Sequence, residues 1–281
     1  MDTIQKYLTK KTHKTKSGDI HYWVNINDTE GVTLVFLPGL TLDHRLFEKQ
    51  IEYFKDKYNL LVWDAPTHAA SWPFKFDYTL FDNARWLNEI LEQENITRPV
   101  VVGQSIGGAT GQIFAKLYTE TTKGYVGIDG APLQRAVLTR RELRLMKKLE
   151  PIIKLVPWKT LLKFFPKGSA ESTYSRKLVY DMMLPYEGDK KRFAKLLGHG
   201  AKVLAEAIEK DMPYEIPCPA LLICGEKDRL KICLEYNKFL HKERGIPLEL
   251  IKDVGHNANT DAPEIVNKLI EEFVEDKVCK C

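Results

Sequence analysis

Pro99-Val100-Val101-Val102-Gly103-Gln104-Ser105-Ile106-Gly107-Gly108 is the stretch on which the fold turns. Residues 99–102 form a short apolar, β-branched run, and apolar residues recur at helical spacing over 106–119. A buried strand therefore passes directly into a helix, with a serine at the bend. A serine there is held in a strained backbone conformation, so the positions two before and two after must be nearly free of side chain. Gly103 and Gly107 meet that need, and Gly108 adds clearance. The helix start also aims backbone N–H groups and a positive dipole end at any oxyanion forming beside the serine. G-x-S-x-G alone recurs by chance in plain tight turns. The strand before it and the helix after it supply the context a nucleophile needs, and they make Ser105 the candidate.

The alternation extends outward from this point. Further apolar runs stand at 32–37, 58–63, 125–128, 219–224 and, more briefly, 247–251. Continuous runs suit strands buried on both faces, as in a parallel sheet. Helical spacing fills 43–55, 79–94, 230–241 and 262–275. Alternating stretches around 3–12 and 19–26 flank Ser17-Gly18 and predict an antiparallel hairpin on the sheet edge. Strands and helices in series give an α/β fold with helices on both faces. The series breaks once. From 133 to 213 no strand-like run occurs, and Pro151, Pro157, Pro166 and Pro185 punctuate helical stretches. That is too long for a loop. Residues 133–213 are therefore read as a helical cap, or lid, inserted after the sixth strand, with 1–132 and 214–281 as the core. The cap leaves one strand's carboxyl end, which places it over the edge where α/β sheets bind ligands.

Composition narrows the classes. With 44% apolar and 28% charged residues among 281, the chain has enough apolar surface to fold and is not a disordered segment. No run approaches the roughly 18–20 apolar residues of a membrane span. The polar, basic N-terminus lacks the apolar stretch of a secretory signal, so a cytoplasmic location is expected. The net charge of +4 is mild and gives no sign of a nucleic-acid partner. It is uneven, however: residues 133–213 hold 18 Lys and Arg against 9 Asp and Glu, while the rest holds 24 against 29. Cysteines stand at 218, 224, 233, 279 and 281, without zinc-finger spacing. The terminal pair Cys279 and Cys281 cannot complete a tetrahedral metal site, so all five are read as reduced thiols. No H-E-x-x-H, Walker or G-x-G-x-x-G pattern points to a metal or cofactor.

A serine hydroxyl needs a base to react. Among seven histidines, His13, His21 and His241 stand in charged contexts. His44 opens a helix, His68 follows a strand and His199 lies in the insertion, so each could line a site. His256 lies in Asp253-Val254-Gly255-His256-Asn257, between the last apolar run and the final helix. Gly255 lets that turn present the ring to the sheet's carboxyl edge, and His256 is the candidate general base. Asp228, in Gly225-Glu226-Lys227-Asp228-Arg229, falls four residues past 219–224 and is the favoured orienting acid. Asp129, at the end of 125–128, is its rival and Glu226 a third. Asp253 and Asp261 are assigned to shaping the loop or starting the helix. A second oxyanion donor is sought in Leu37-Pro38-Gly39-Leu40, where the Leu40 N–H can join that of Ile106.

The segments LPG at 37–39, WDAPTHAAS at 63–71, GQSIGG at 103–108, GEKD at 225–228 and DVGHN at 253–257 span almost the whole chain. With them the sequence resembles the α/β-hydrolase superfamily, in its lidded Ser-His-Asp serine hydrolase branch. The resemblance implies a mostly parallel eight-stranded sheet, a triad of Ser105, His256 and Asp228, a helical cap and no cofactor. Aspartate at position 105 would instead mark a dehalogenase or epoxide hydrolase. A G-G-S-W-G turn would mark a prolyl aminopeptidase. Two positions depart from the family. Pro38 replaces a frequent histidine, which leaves the geometry intact because only the backbone donates. Thr67 and Ala69 replace glycines of D-x-P-G-H-G-x-S, which predicts a stiffer loop with His68 turned to the pocket. Trp72, Phe74 and Phe76, with Met182 and Met183 of the insertion, are candidates for an apolar pocket wall. The expected function is cleavage of a carboxylic ester of a small, partly apolar substrate through an acyl-enzyme. The same residues would serve a carbon–carbon or amide hydrolase, or a slow-turnover ligand sensor. The basic face of the cap is either simply solvated or a contact for anionic substrate or membrane surface.

Overall fold

The computed structural model describes residues 4–213 and 215–279. Its strands are β1 (Thr9–Lys14), β2 (Asp19–Asn25), β3 (Thr33–Leu37), β4 (Asn59–Trp63), β5 (Pro99–Gln104), β6 (Gly124–Ile128), β7 (Ala220–Gly225) and β8 (Leu248–Ile251). They form one eight-stranded sheet in the order β1-β2-β4-β3-β5-β6-β7-β8. β1 with β2 and β2 with β4 pair antiparallel, and the remaining neighbours pair parallel. This is the α/β architecture anticipated from the alternation, hairpin included, with the mostly parallel eight-stranded sheet that the α/β-hydrolase resemblance implied.

β3 to β6 are buried along their whole lengths, which is why they read as continuous apolar runs. Their side chains alternate between two cores. Val100 and Val102 join Phe36 in the layer packed by α1 (Glu48–Phe54) and α11 (Pro263–Lys277). Val101 joins Val35 and Leu61 beneath α2 (Leu80–Gln93) and α3 (Ile106–Leu117). Each such side chain contributes about 1.5–3 kcal/mol. The strand expected around 3–12 is a correction. Ile4–Lys6 form one 3₁₀ turn, and the strand starts only at Thr9. Ile4 and Leu8 lie on one helical face and are both buried, so core packing overrides the alternation there.

Between β6 and β7 the regular elements among the described residues are all helical: α4 (Arg140–Met146), α5 (Leu149–Leu155), α6 (Trp158–Ser169), α7 (Thr173–Met183) and α8 (Lys190–Glu209), with short 3₁₀ turns. α8 packs on α4 and α5 and reaches α2 and α3, so this helical segment is anchored to the sheet's flank. The Leu230-capped α9 (Lys231–Arg244) and the short α10 (Ala258–Asp261) follow β7 and β8. No helix among the described residues is long and apolar enough to cross a membrane. Cys281 lies outside the described residues, and Cys279 is an exposed free thiol.

Candidate active site

Ser105 is the hinge between β5 and α3. Its backbone sits at φ 53°, ψ −120°, a conformation that costs about 1–3 kcal/mol and persists only where the surroundings enforce it. They do so here. The Ser105 N–H donates to the Ile128 carbonyl at 3.0 Å, and its own carbonyl accepts from Gly108 and Ala131. A Cβ on Gly103 would collide with the Gly107 carbonyl, and one on Gly107 with that of Leu37. The glycine spacing is therefore a requirement of close backbone approach.

His256 lies in the loop between β8 and α10, and Asp228 in the loop after β7. The His256 Nδ1–H donates to Asp228 Oδ2 at 2.9 Å, and both residues are buried. Asp228 Oδ1 also accepts the Leu230 N–H at 2.8 Å. Asp129 points elsewhere. Its Oδ1 accepts from Gly225 N at 2.8 Å and its Oδ2 from Ala258 N at 3.0 Å, tying the end of β7 to the start of α10. Burial and the nearby Asp228 carboxylate push the Asp129 carboxyl well above the usual range, and the two N–H donors pull the other way. Glu226 is exposed. Asp261 accepts the Gly255 N–H at 2.9 Å, while Asp253 pairs with Lys227 at 2.7 Å. The left-handed residue of this loop is Asp253, at φ 63°.

Leu40 and Ile106 both line the cavity beside Ser105, and neither backbone N–H has an acceptor among the described residues. Gln104 is a residue that sequence reasoning missed. Its Nε2 donates to the His256 carbonyl at 2.8 Å and to Asn257 Oδ1 at 3.1 Å, which fixes the histidine loop against the serine turn. Its Oε1 faces Gly39, where a Cβ would strike it. The available signal was a large polar residue at the end of an otherwise apolar strand.

The cavity that holds Ser105 and His256 has a volume of about 330 Å³. Leu138, Met146, Leu149 and Phe165 wall it from α4 to α6 and the chain before them, Leu197, Ala201 and Leu204 from α8, and Leu230, Ile232 and Cys233 from the start of α9. Among the described residues it is lined by no Lys, Arg, Asp or Glu.

The family model described as the alpha/beta hydrolase family matches residues 34–269. The chain belongs to that family. It is 22% identical over 277 residues to the (E)-2-((N-methylformamido)methylene)succinate hydrolase of Acinetobacter baylyi, covering 95% of this chain and 98% of that one. It is 25% identical over 250 residues to 3-oxoadipate enol-lactonase 2 of the same organism, covering 85% and 86%. A solved thermophilic esterase from Thermogutta terrifontis superposes with a TM-score of 0.78 at 18% identity, covering 96% and 99%. Likeness at that identity carries the fold.

Within this alpha/beta hydrolase, none of the six expected pocket residues, His68, Trp72, Phe74, Phe76, Met182 and Met183, lines the Ser105 cavity. His68 is buried behind the Leu40 turn. Trp72 lies on the surface, with the Arg192 guanidinium 4.4 Å from its ring. Met183 is packed in the core, and Met182 borders a separate cavity with His44 and Arg192. Sequence adjacency to a motif does not determine which way a side chain leaves the backbone. His44 stacks on Trp23 at 3.6 Å and bonds Asp64 at 2.8 Å. His199 packs on Tyr78 and Phe76, where burial and Lys202 lower its pKa to about 4.

Two groups of side chains could offer three ligand atoms to a metal, Asp228 with Cys233 and His256, and Asp43 with His44 and Asp64. In the second, Asp64 already accepts from His44 and from the Ala70 N–H, and Asp43 chelates Arg45. In the first, His256 Nδ1 and Asp228 Oδ2 already bond one another at 2.9 Å, and burial pushes the Cys233 thiol up, away from the thiolate a metal would need.

Proposed function

We propose that this hydrolase cleaves a neutral carboxylic ester with an apolar acyl part, through an acyl-enzyme on Ser105. The observation that carries the reading is one uncharged, largely apolar cavity that holds Ser105 and the Asp228-bonded His256. Ser105 Oγ attacks the ester carbonyl while His256 Nε2 takes its proton. The Nδ1–H···Asp228 bond holds the ring's tautomer and stabilises the imidazolium. The carbonyl oxygen becomes an oxyanion and accepts from the Leu40 and Ile106 N–H groups. As the C–O bond breaks, His256 returns the proton to the leaving alkoxide. Water then repeats the sequence and frees the acid. Residues 133–213 act as the cap, supplying much of the cavity wall. The four described cysteines are free thiols, which fits a cytoplasmic setting.

The two curated relatives are named for a succinate and an oxoadipate enol-lactone. This cavity is lined by no cation that could pair with such a carboxylate. Burying an unpaired carboxylate costs several kcal/mol. A p-nitrophenyl hexanoate is therefore expected to exceed the p-nitrophenyl monoester of adipic acid in kcat/KM by about 10²-fold or more. Equal rates, or a preference for the adipate ester, would overturn the neutral-substrate reading. Including an anilide and a vinylogous diketone tests whether the leaving group is an amine or a carbon instead.

The outer face of the cap favours a second reading of its charge. Residues 138–169 carry nine Lys and Arg against two Glu, and Leu155 (84% exposed), Leu145 and Phe164 stand in solvent among them. Basic residues interspersed with exposed apolar ones suit an anionic membrane surface. Co-sedimentation with phosphatidylserine-containing vesicles is expected at about 0.1 M salt and lost near 0.5 M, with none on phosphatidylcholine alone. Salt-independent binding would assign the contact to the exposed apolar residues and not to the charge, and no binding at all leaves this face as a solvated surface.

A further inference from the structure

Thr41 follows the proposed oxyanion donor Leu40, and its backbone is strained. It has φ 69°, in the left-handed region that a β-branched residue rarely enters, at a cost of about 1–3 kcal/mol. The turn is closed by Leu42 N–H donating to the Gly39 carbonyl at 3.1 Å. The Thr41 N–H donates to His68 Nε2 at 3.1 Å, across 27 residues of sequence. On the far side of the same ring, Nδ1–H donates to the Pro66 carbonyl at 2.9 Å. A backbone N–H can only donate and a carbonyl can only accept, so the two partners select one neutral tautomer. Burial also lowers the ring's pKa, which keeps it in that neutral form. The Pro66 carbonyl is itself fixed by the Tyr78 hydroxyl at 2.9 Å.

The loop carrying His68 is strained on both sides of it. Thr67 has φ 72° and Ala69 has φ 32°. These are the two positions where the sequence departs from glycine, and both keep left-handed backbones. The consequence is a ring turned away from the Ser105 cavity and into the Leu40 turn. His68, Leu40 and Ile106 line a small enclosed space of about 20 Å³, and only Leu40 and Ile106 also face the Ser105 cavity. His68 thus stands one layer behind both proposed donors.

We propose that His68 is a positioning residue, whose ring clamps the strained Thr41 N–H and so holds the Leu40 N–H at the oxyanion position. The proposal rests on the serine-hydrolase reading above. His68 touches no substrate; it acts through the turn. Its effect falls on the tetrahedral state, where the donors are used, and not on ground-state binding.

The test compares wild type with His68→Leu, which removes the acceptor, and His68→Gln, whose Oε1 can still accept the Thr41 N–H. Three quantities are measured with an apolar p-nitrophenyl ester: kcat, KM, and the affinity for a trifluoromethyl ketone of the same acyl part, which forms a tetrahedral adduct. His68→Leu is expected to lower kcat by about 10²–10³, as loss of one oxyanion donor does, with KM little changed. The ketone's affinity is expected to fall by a similar factor, and His68→Gln to recover about tenfold or more. Wild-type kcat and ketone affinity in a folded His68→Leu protein overturn the proposal. So does a loss shared equally by kcat and KM with no Gln rescue, which marks a merely structural role. If His68→Leu does not fold, the Gln protein decides: near-wild-type ketone affinity supports the clamp, and affinity reduced a hundredfold or more in a folded protein refutes it. Failure of a fluorophosphonate to label wild type at all is a separate result, which removes the serine-hydrolase reading itself.

Discussion

Ser105→Ala is expected to lower kcat by about 10⁴–10⁶, and His256→Ala by a similar factor. The serine is the proposed nucleophile and the histidine its base, so losing either removes the same step. The double variant should then be little worse than either single one, because residues that act as a unit are not additive. The residual rate comes from the cavity and the Leu40 and Ile106 donors, which remain in both. Neither change should cost much stability at the serine itself. Ser105→Ala keeps the backbone bonds to Ile128 and Ala131, which involve no side-chain atom. Circular dichroism and a urea melt check that the fold persists. Losses that multiply in the double variant would show that the two residues do not share a step.

The second large effect separates two buried aspartates. Asp228→Asn is expected to lower kcat by about 10³–10⁴, because an amide cannot hold the His256 Nδ1–H tautomer or stabilise its cation. Asp129→Asn should act on folding instead. Both Asp129 oxygens accept backbone N–H groups, from Gly225 and Ala258, so an asparagine must turn an NH₂ toward one donor. Leaving that N–H unpaired costs about 1–3 kcal/mol, read as a lower urea midpoint with kcat much less affected. A larger kcat loss in Asp129→Asn than in Asp228→Asn would transfer the orienting role to Asp129.

Most of the sheet was legible because burial on both faces writes itself as unbroken apolar runs. β3 to β6 fall where 32–37, 58–63, 99–102 and 125–128 predicted them. The N-terminal strand was misplaced because Ile4 and Leu8 alternate acceptably for a strand, yet pack as one helical turn. At the site, residues held by local motifs were readable: the serine at a strand-to-helix bend with glycine on either side, and the acid and the histidine each just past a strand. Residues whose role depends on distant packing were not. The cavity wall comes from Met146, Leu149 and Phe165, on helices whose rotation no single segment determines. His68 was expected in the pocket. Its direction is set by Thr41, which offers its N–H from a turn after a different strand. Thr67 and Ala69 gave the wrong signal there: in place of glycines they predict a His68 ring turned to the pocket, whereas both adopt left-handed backbones and the ring accepts from Thr41 instead.

The central claim, an activated serine at the β5–α3 bend, meets its most direct test in labelling with an alkyl fluorophosphonate followed by peptide mapping. The probe forms a stable Oγ–P bond and releases fluoride, and it needs both a base and oxyanion donors to react at a useful rate. One phosphonyl adduct is expected per chain, on the peptide containing Ser105, absent in Ser105→Ala and strongly slowed in His256→Ala. An adduct on another residue, or no adduct on folded protein that still turns over an ester, would contradict the account.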